Sequence, residues 1–158
     1  MLFVLVQVED ELYGIDARQI VEVLPIVRWR KLPHAPAAVL GLINHHGKAV
    51  PLLDLTEFLG GRPSRRRLST KIIVLDYYNN SGEVFHLALL IERILETFAI
   101  ADEDFADSGV ANPQAPYAGP VATTVKGIVQ RLDLRRVLPP EVRERLFSAV
   151  RDYATENA

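Results

Sequence analysis

Gly41-Leu42-Ile43-Asn44-His45-His46-Gly47-Lys48-Ala49-Val50-Pro51-Leu52-Leu53-Asp54-Leu55 holds two apolar runs on either side of Gly47, the pattern of a β-hairpin rich in Leu, Ile and Val. The second run leaves through Leu53-Asp54-Leu55 into Thr56-Glu57-Phe58-Leu59, which predicts a short helix ended by Gly60-Gly61. Asp54 then stands where a carboxylate accepts from the free amides of a helix start. The same grammar returns as Leu132-Asp133-Leu134 followed by Val137-Leu138-Pro139-Pro140, at an offset of 133 − 54 = 79. A weaker echo pairs Ile20-Val21-Glu22-Val23 with Ile94-Leu95-Glu96-Thr97, at an offset of 96 − 22 = 74. Two related β units are expected. A unit of under ~80 residues buries only a modest core alone, so the two should pack together and share apolar surface.

Outward from this stretch the signals remain those of short strands. Phe3 to Val8, interrupted by Glu9-Asp10-Glu11 and resumed at Leu12-Tyr13-Gly14-Ile15, reads as a hairpin, and Asp16 can cap a brief helical turn through Gln19. Ile20 to Leu24 returns to strand character, limited by Pro25, and Pro33-His34-Ala35-Pro36 is turn chemistry. Lys71 to Tyr78 and Val84 to Ile91 flank Asn79-Asn80-Ser81-Gly82 as a further hairpin. Between these parts, Arg62-Pro63-Ser64-Arg65-Arg66-Arg67 reads as a polar hinge and marks the best internal boundary. Ala101 to Pro116 is assigned mostly to loop with one turn of helix, and Val125 to Leu134 to the last strand region. From Pro139-Pro140 onward, Val142, Leu146, Val150 and Tyr153 recur at helical spacing, which predicts one long helix.

Composition narrows the function. Of 158 residues, 49% are hydrophobic and 24% charged, which excludes a disordered tail or a fibrous repeat. With 18 Lys and Arg against 20 Asp and Glu, the chain lacks the basic excess that drives phosphate-backbone binding, so no nucleic-acid partner is expected. There is no cysteine, hence no disulfide framework and no thiolate metal site. The apolar start has no basic flank or cleavage site, and the apolar runs Ala35 to Ile43 and Val84 to Ile91 fall short of the ~20 residues of a membrane helix; a soluble intracellular chain is expected.

Catalytic and cofactor motifs are missing. Gly41 and Gly47-Lys48 only superficially resemble a phosphate loop, with the wrong spacing and Ala49 where a Ser or Thr would hold magnesium. His45 and His46 invite a metal reading, but neighbours on a strand point to opposite faces, so one ion is not expected to take both without a bulge. Arg65-Arg66-Arg67, without interleaved aromatics, reads as a solvated linker. The alternative kept open is a small enzyme or a metal- or ligand-binding β-barrel protein using His45, His46 and nearby carboxylates. What remains otherwise is a β scaffold with strand edges and an apolar groove, both suited to docking other proteins.

Several blocks together resemble the CheW-like coupling domain of bacterial chemosensory systems. Leu12-Tyr13-Gly14-Ile15-Asp16 and Ile20-Val21-Glu22-Val23 are similar to its opening block. Leu32-Pro33-His34-Ala35-Pro36, Gly41-Leu42-Ile43-Asn44, Gly47 and Val50 to Leu55 follow its central signature in order and spacing. The likeness resumes at Ile72 to Leu75, Leu89 to Ile94 and Ile128 to Leu134, and covers residues 3 to about 138. The resemblance implies a mainly β fold of two packed, SH3-like, five-stranded barrels with short helices and a C-terminal helix. The expected division is 1–66 for the first barrel, 67–138 for the second and 139–155 for the helix, within one domain of residues 1–158. It further implies a cytoplasmic adaptor at membrane-associated receptor arrays, with no catalytic activity, cofactor or metal, that couples a chemoreceptor tip to the regulatory domain of a CheA-type histidine kinase.

By the same resemblance the receptor tip lies in a groove near Ile20, Glu22, Gly41, Asn44, His46 and Gly47, while the kinase uses barrel ends and strand edges elsewhere. The family commonly has Asn-Leu-Arg-Gly where this chain has Asn44-His45-His46-Gly47, so His46 replaces a guanidinium. An imidazole, with a reference pKa of ~6.5, reaches less far and makes hydrogen bonding to a receptor pH-dependent. Glu92 stands for the family's Asp in its Val-Asp-x-Val block. These departures point to a specialised pathway such as surface sensing or pilus motility.

Overall fold

In a computed structural model of the chain, residues 1–78, 82–106, 118–133, 138 and 140–156 are described. They form β1 (Leu2–Val8), β2 (Glu11–Asp16), β3 (Ile20–Pro25), β4 (Val39–His45), β5 (Lys48–Asp54), α1 (Leu55–Gly60), β6 (Lys71–Tyr78), β7 (Val84–Ile91), β8 (Arg93–Ala99), β9 (Phe105–Ala106), β10 (Ala118–Thr124), β11 (Gly127–Leu132) and α2 (Pro140–Glu156). Single 3₁₀ turns at Ala17–Gln19 and Asp102–Asp104 complete the pattern, and Asp16 caps the first through the Arg18 amide.

One sheet runs β8-β1-β2-β11-β10-β9 and the other β3-β6-β7-β5-β4. The two have the same plan. Each contains a hairpin (β1–β2; β6–β7) whose second strand pairs in parallel with the last strand of another hairpin (β11; β5), and each is completed by a strand beside its first (β8; β3). The offsets of 79 and 74 therefore match equivalent hairpins and equivalent third strands.

The expected division at residue 66 does not follow the sheets. The chain crosses at residues 17–19 and returns at Glu92, so β3 follows the first hairpin in sequence yet completes the second sheet, and β8 does the reverse. The physical reason is that an apolar alternation specifies a face, and says nothing of which of two similar sheets a strand will join.

Pleating then builds three apolar layers. Ile72 and Val74 of β6, with Ala88 and Leu90 of β7 and Ile43, Val50 and Leu52, fill the interior of one barrel. Phe3, Leu5, Ile100, Ala122 and Val129 fill the other. The opposite faces of the same strands, including Val6, Val8, Ile73, Leu75, Tyr77, Leu87, Leu89 and Ile91, meet between the barrels. Strands β6 and β7 are thus buried on both faces, which is why they read as nearly continuous apolar runs. On α2, Leu146 and Phe147 join this shared layer; Phe147 stacks on Phe85 at 4.2 Å between centroids, and Arg143 Nη1 donates to the Tyr77 hydroxyl at 3.3 Å.

The Arg62 to Arg67 segment is no free hinge. Arg62 donates to both Glu92 carboxylate oxygens, at 2.7 and 3.1 Å, and to Glu9 at 2.5 Å. The Arg65 amide donates to Glu92 at 2.6 Å, and the Arg66 guanidinium lies 4.7 Å from the Trp29 ring centroid. The loop is thereby fastened to the point where the chain crosses back between sheets. Bonding to Arg62 holds the Glu92 carboxyl below the ordinary carboxylate range, against the opposing effect of burial.

Candidate functional site

Strand β3 lies at the end of its sheet and, among the described residues, pairs with β6 alone. Its period-2 pattern turns Ile20, Glu22 and Leu24 inward, half-buried, and leaves Val21 and Val23 exposed at 42% and 50%. Ile20, expected in the groove, packs against the apolar layer between barrels. Val21 and Val23 were missed as surface residues because alternation alone does not say which face looks outward.

At the other end of the same sheet, β4 and β5 are joined by a two-residue turn, His46-Gly47, between the paired residues His45 and Lys48. His46 has φ +52° and Gly47 φ +84°, the positive pair that a tight primed turn demands. Asn44 Oδ1 accepts from the Gly47 amide at 2.8 Å and holds the turn. The turn overrules the strand-alternation argument for the two histidines. His46 has left the pleat, and its ring comes round to lie edge-on to that of His45, 4.4 Å between centroids. Glu22 Oε2 contacts His45 Nε2 at 2.6 Å and His46 Nε2 at 3.1 Å. His45 is buried, whereas the His46 side chain is 74% exposed. The two imidazoles, His45 first, lower the Glu22 carboxyl from its ordinary value. This cluster connects opposite ends of the sheet order and so marks the seam where the sheet curls into a barrel.

The other barrel has an equivalent seam. Glu96 of β8 takes the position of Glu22 on β3, and Lys126, in the two-residue turn between β10 and β11, reaches it at 2.8 Å. There a lysine makes a plain ion pair; here two histidines face the carboxylate.

Gly41 sits apart from this cluster. It is buried on β4 with φ +150°, and a Cβ there would stand 2.0 Å from the Arg30 carbonyl oxygen. Arg30 and Leu42 exchange two backbone hydrogen bonds of 2.8 Å, so the chain leaving β3 lies along the outer edge of β4. Gly41 permits that approach. Of the expected groove residues, then, Glu22, Asn44, His46 and Gly47 come together, Ile20 lies beside them on β3 facing inward, and Gly41 supports the edge from within.

Asp54 performs the role read from its motif. It accepts from the amides of Thr56 (3.1 Å), Glu57 (3.3 Å) and Ser64 (2.7 Å), and from the Ser64 hydroxyl. The helix it starts ends on Gly61 at φ +76°. The matching residues 134–137 after Asp133 lie outside the described residues.

The two interlocked barrels present a terminal strand with exposed valines beside the polar His46-Gly47 turn. The CheW-like domain family model matches residues 2–141. The chain belongs to that family, whose members are non-catalytic chemotaxis coupling adaptors. Chemotaxis protein CheW of Treponema pallidum (strain Nichols) is 26% identical over 139 residues, covering 79% of this chain and 70% of that protein. Chemotaxis protein CheW of Rhizobium meliloti (strain 1021) is 26% identical over 115 residues, covering 72% and 71%. Among solved structures, the scaffolding protein TtCheW from Thermoanaerobacter tengcongensis superimposes with a TM-score of 0.76 at 21% identity, covering 89% of each chain. The twin-barrel fold is shared. No helix among the described residues is long and apolar enough to cross a membrane.

Proposed function

We propose that this chain is a cytoplasmic adaptor that couples the tip of a chemoreceptor to the regulatory domain of a CheA-type histidine kinase. The observation that carries the receptor half of the reading is the exposure of Val21 and Val23 on either side of Glu22, next to the Asn44 to Gly47 turn. Exposed β-branched residues on a terminal strand, rimmed by a carboxylate and an imidazole, suit a partner with apolar anchors and polar flanks. Family membership supports the pairing with a receptor and a kinase. The replacement of the family's Arg by His46 supports a specialised pathway, such as surface sensing or pilus motility, for which a neighbouring receptor or hybrid-kinase gene is the direct test.

The binding test is retention of the pathway's receptor cytoplasmic fragment and kinase regulatory domain on the immobilised full chain. Both should be retained, and Val23→Glu should weaken the receptor interaction about tenfold or more, while Leu68→Glu, at an exposed position elsewhere, leaves it unchanged. Loss of neither partner with Val23→Glu removes β3 from the docking surface; retention of neither partner by the parent chain overturns the adaptor reading.

A further inference from the structure

We propose that Glu22, His45 and His46 form a binding site for one divalent transition-metal ion of the zinc type, set in the seam of the barrel. One ligand atom from each residue lies within 4.8 Å of the others, with the two Nε2 atoms at 2.6 and 3.1 Å from the same Glu22 oxygen. Tetrahedral zinc, with bonds of about 2.0–2.1 Å to nitrogen and oxygen, holds its ligand atoms about 3.3–3.4 Å apart. Seating the ion therefore needs the carboxylate to draw back by about 0.7–0.8 Å from the His45 ring and by a few tenths of an ångström from that of His46. Glu22, 39% exposed, and His46, 74% exposed, have room to do so.

The chemistry of the donors fits. Imidazole nitrogen and carboxylate oxygen suit zinc and its neighbours in the first transition row, and three protein ligands leave a fourth position for water or for a side chain of a docked partner. The equivalent seam in the other barrel acts as an internal comparison. Glu96 and Lys126 close it at 2.8 Å with an ammonium, which has three donors and no lone pair to give a metal. An ion pair alone is thus sufficient to close such a seam, and the two imidazoles opposite Glu22 offer what a lysine does not.

The positions are also specific. The chain has four histidines, and two of them reach the same Glu22 oxygen, while His86, 6.2 Å from His45 between ring centroids, faces Asp76 at 3.4 Å. His46 reaches Glu22 only through a positive φ that a non-glycine residue adopts at a cost. A bound ion would tie the β4–β5 turn to β3 and so fasten the barrel where its sheet ends meet. The site shares Glu22 and His46 with the proposed receptor groove, but metal binding needs no partner, so its test is independent of the receptor reading.

The experiment uses the full chain, with any affinity-tag histidines removed and chelator-treated, titrated with zinc chloride by calorimetry and followed in parallel by thermal melting. The expected result is saturation at one ion per chain with a rise in melting temperature. His46→Ala, at an exposed turn position where folding is least at risk, should weaken binding about tenfold or more. Cobalt substitution should give the visible absorption of a tetrahedral site. His34→Ala and Lys126→Ala should leave the affinity unchanged. Absence of saturable binding, a stoichiometry other than one, or an affinity indifferent to His46→Ala overturns the site.

Discussion

Replacing Gly41 with alanine tests the claim that this glycine permits the close approach of the Arg30 backbone to β4. Two costs add at this position. The backbone sits at φ +150°, where an L side chain is strained by about 1–3 kcal/mol. The new Cβ would also stand 2.0 Å from the Arg30 carbonyl oxygen and 2.7 Å from its carbon, backbone atoms that cannot rotate away. Forced local displacement of this kind costs typically ~1–3 kcal/mol more. The sum, about 2–6 kcal/mol, corresponds to a fall in Tm of roughly 5–20 °C for a chain of this size. Gly47→Ala is the matched comparison, because Gly47 has φ +84° and nothing within 4 Å of its would-be Cβ. Only the left-handed backbone is at stake there, at about 1–2 kcal/mol. Thermal and urea melts of both variants would be read beside amide exchange at Arg30 and Leu42, whose paired hydrogen bonds should open early in Gly41→Ala alone. A Gly41→Ala chain melting within about 2 °C of the parent, or a Gly47→Ala chain losing as much, would refute the close-approach argument.

Asp54→Ala removes a carboxylate that serves α1 and the Ser64 loop together, and should cost about 2–4 kcal/mol in a urea melt, with most of the loss absent from Asp54→Asn. The Asp16 carboxyl is held below its ordinary value chiefly by hydrogen bonding from Arg18, and that of Glu92 chiefly by Arg62. For depressed carboxyls the stabilisation is complete above the unfolded-state value, near ~4, and is lost as pH falls through the lower folded-state value. The double variant Asp16→Asn, Glu92→Gln should therefore show a shallower loss of stability below about pH 4 than the parent in acid denaturation. Glu22→Arg should weaken binding of the receptor fragment about tenfold or more, measured by titration calorimetry. It also removes the buried His45's carboxylate partner, so a lowered Tm should accompany it.

What the sequence revealed was local, and what it concealed was long-range. Asp54 as a helix cap and Gly61 as its end follow from a few neighbouring residues, and the structure places both where that chemistry puts them. The repeat offsets were also legible, because equivalent strands keep similar alternation. The exchange of β3 and β8 was not, since nothing in Ile20 to Pro25 distinguishes the strand beside β6 from one beside β1. Arg62 reads as part of a polar hinge because its partners, Glu9 and Glu92, stand 53 and 30 residues away. His46 was misread for a different reason. The rule of opposite faces holds within a strand, and the pattern Asn44-His45-His46-Gly47 carried the signal that His46 had already entered a tight turn: a glycine at the second loop position.

The exchange of strands bears on how such a scaffold holds its partners in register. Among the described residues, the apolar layer between the barrels has sixteen buried members, against seven and five in the two barrel interiors. Neither barrel can separate without exposing the larger layer, and neither closes without a strand that enters from the other's first hairpin. Both crossings are also pinned: Arg18 bonds to Asp16 at the first, and Arg62 and Arg65 bond to Glu92 at the second. Interfaces between independent units permit relative motion by default; here the covalent path of the chain and the apolar layer oppose it together. A partner seated on β3 of one barrel is therefore held at a fixed bearing to anything seated on the other. That rigidity follows from the order of strands and from the buried layer.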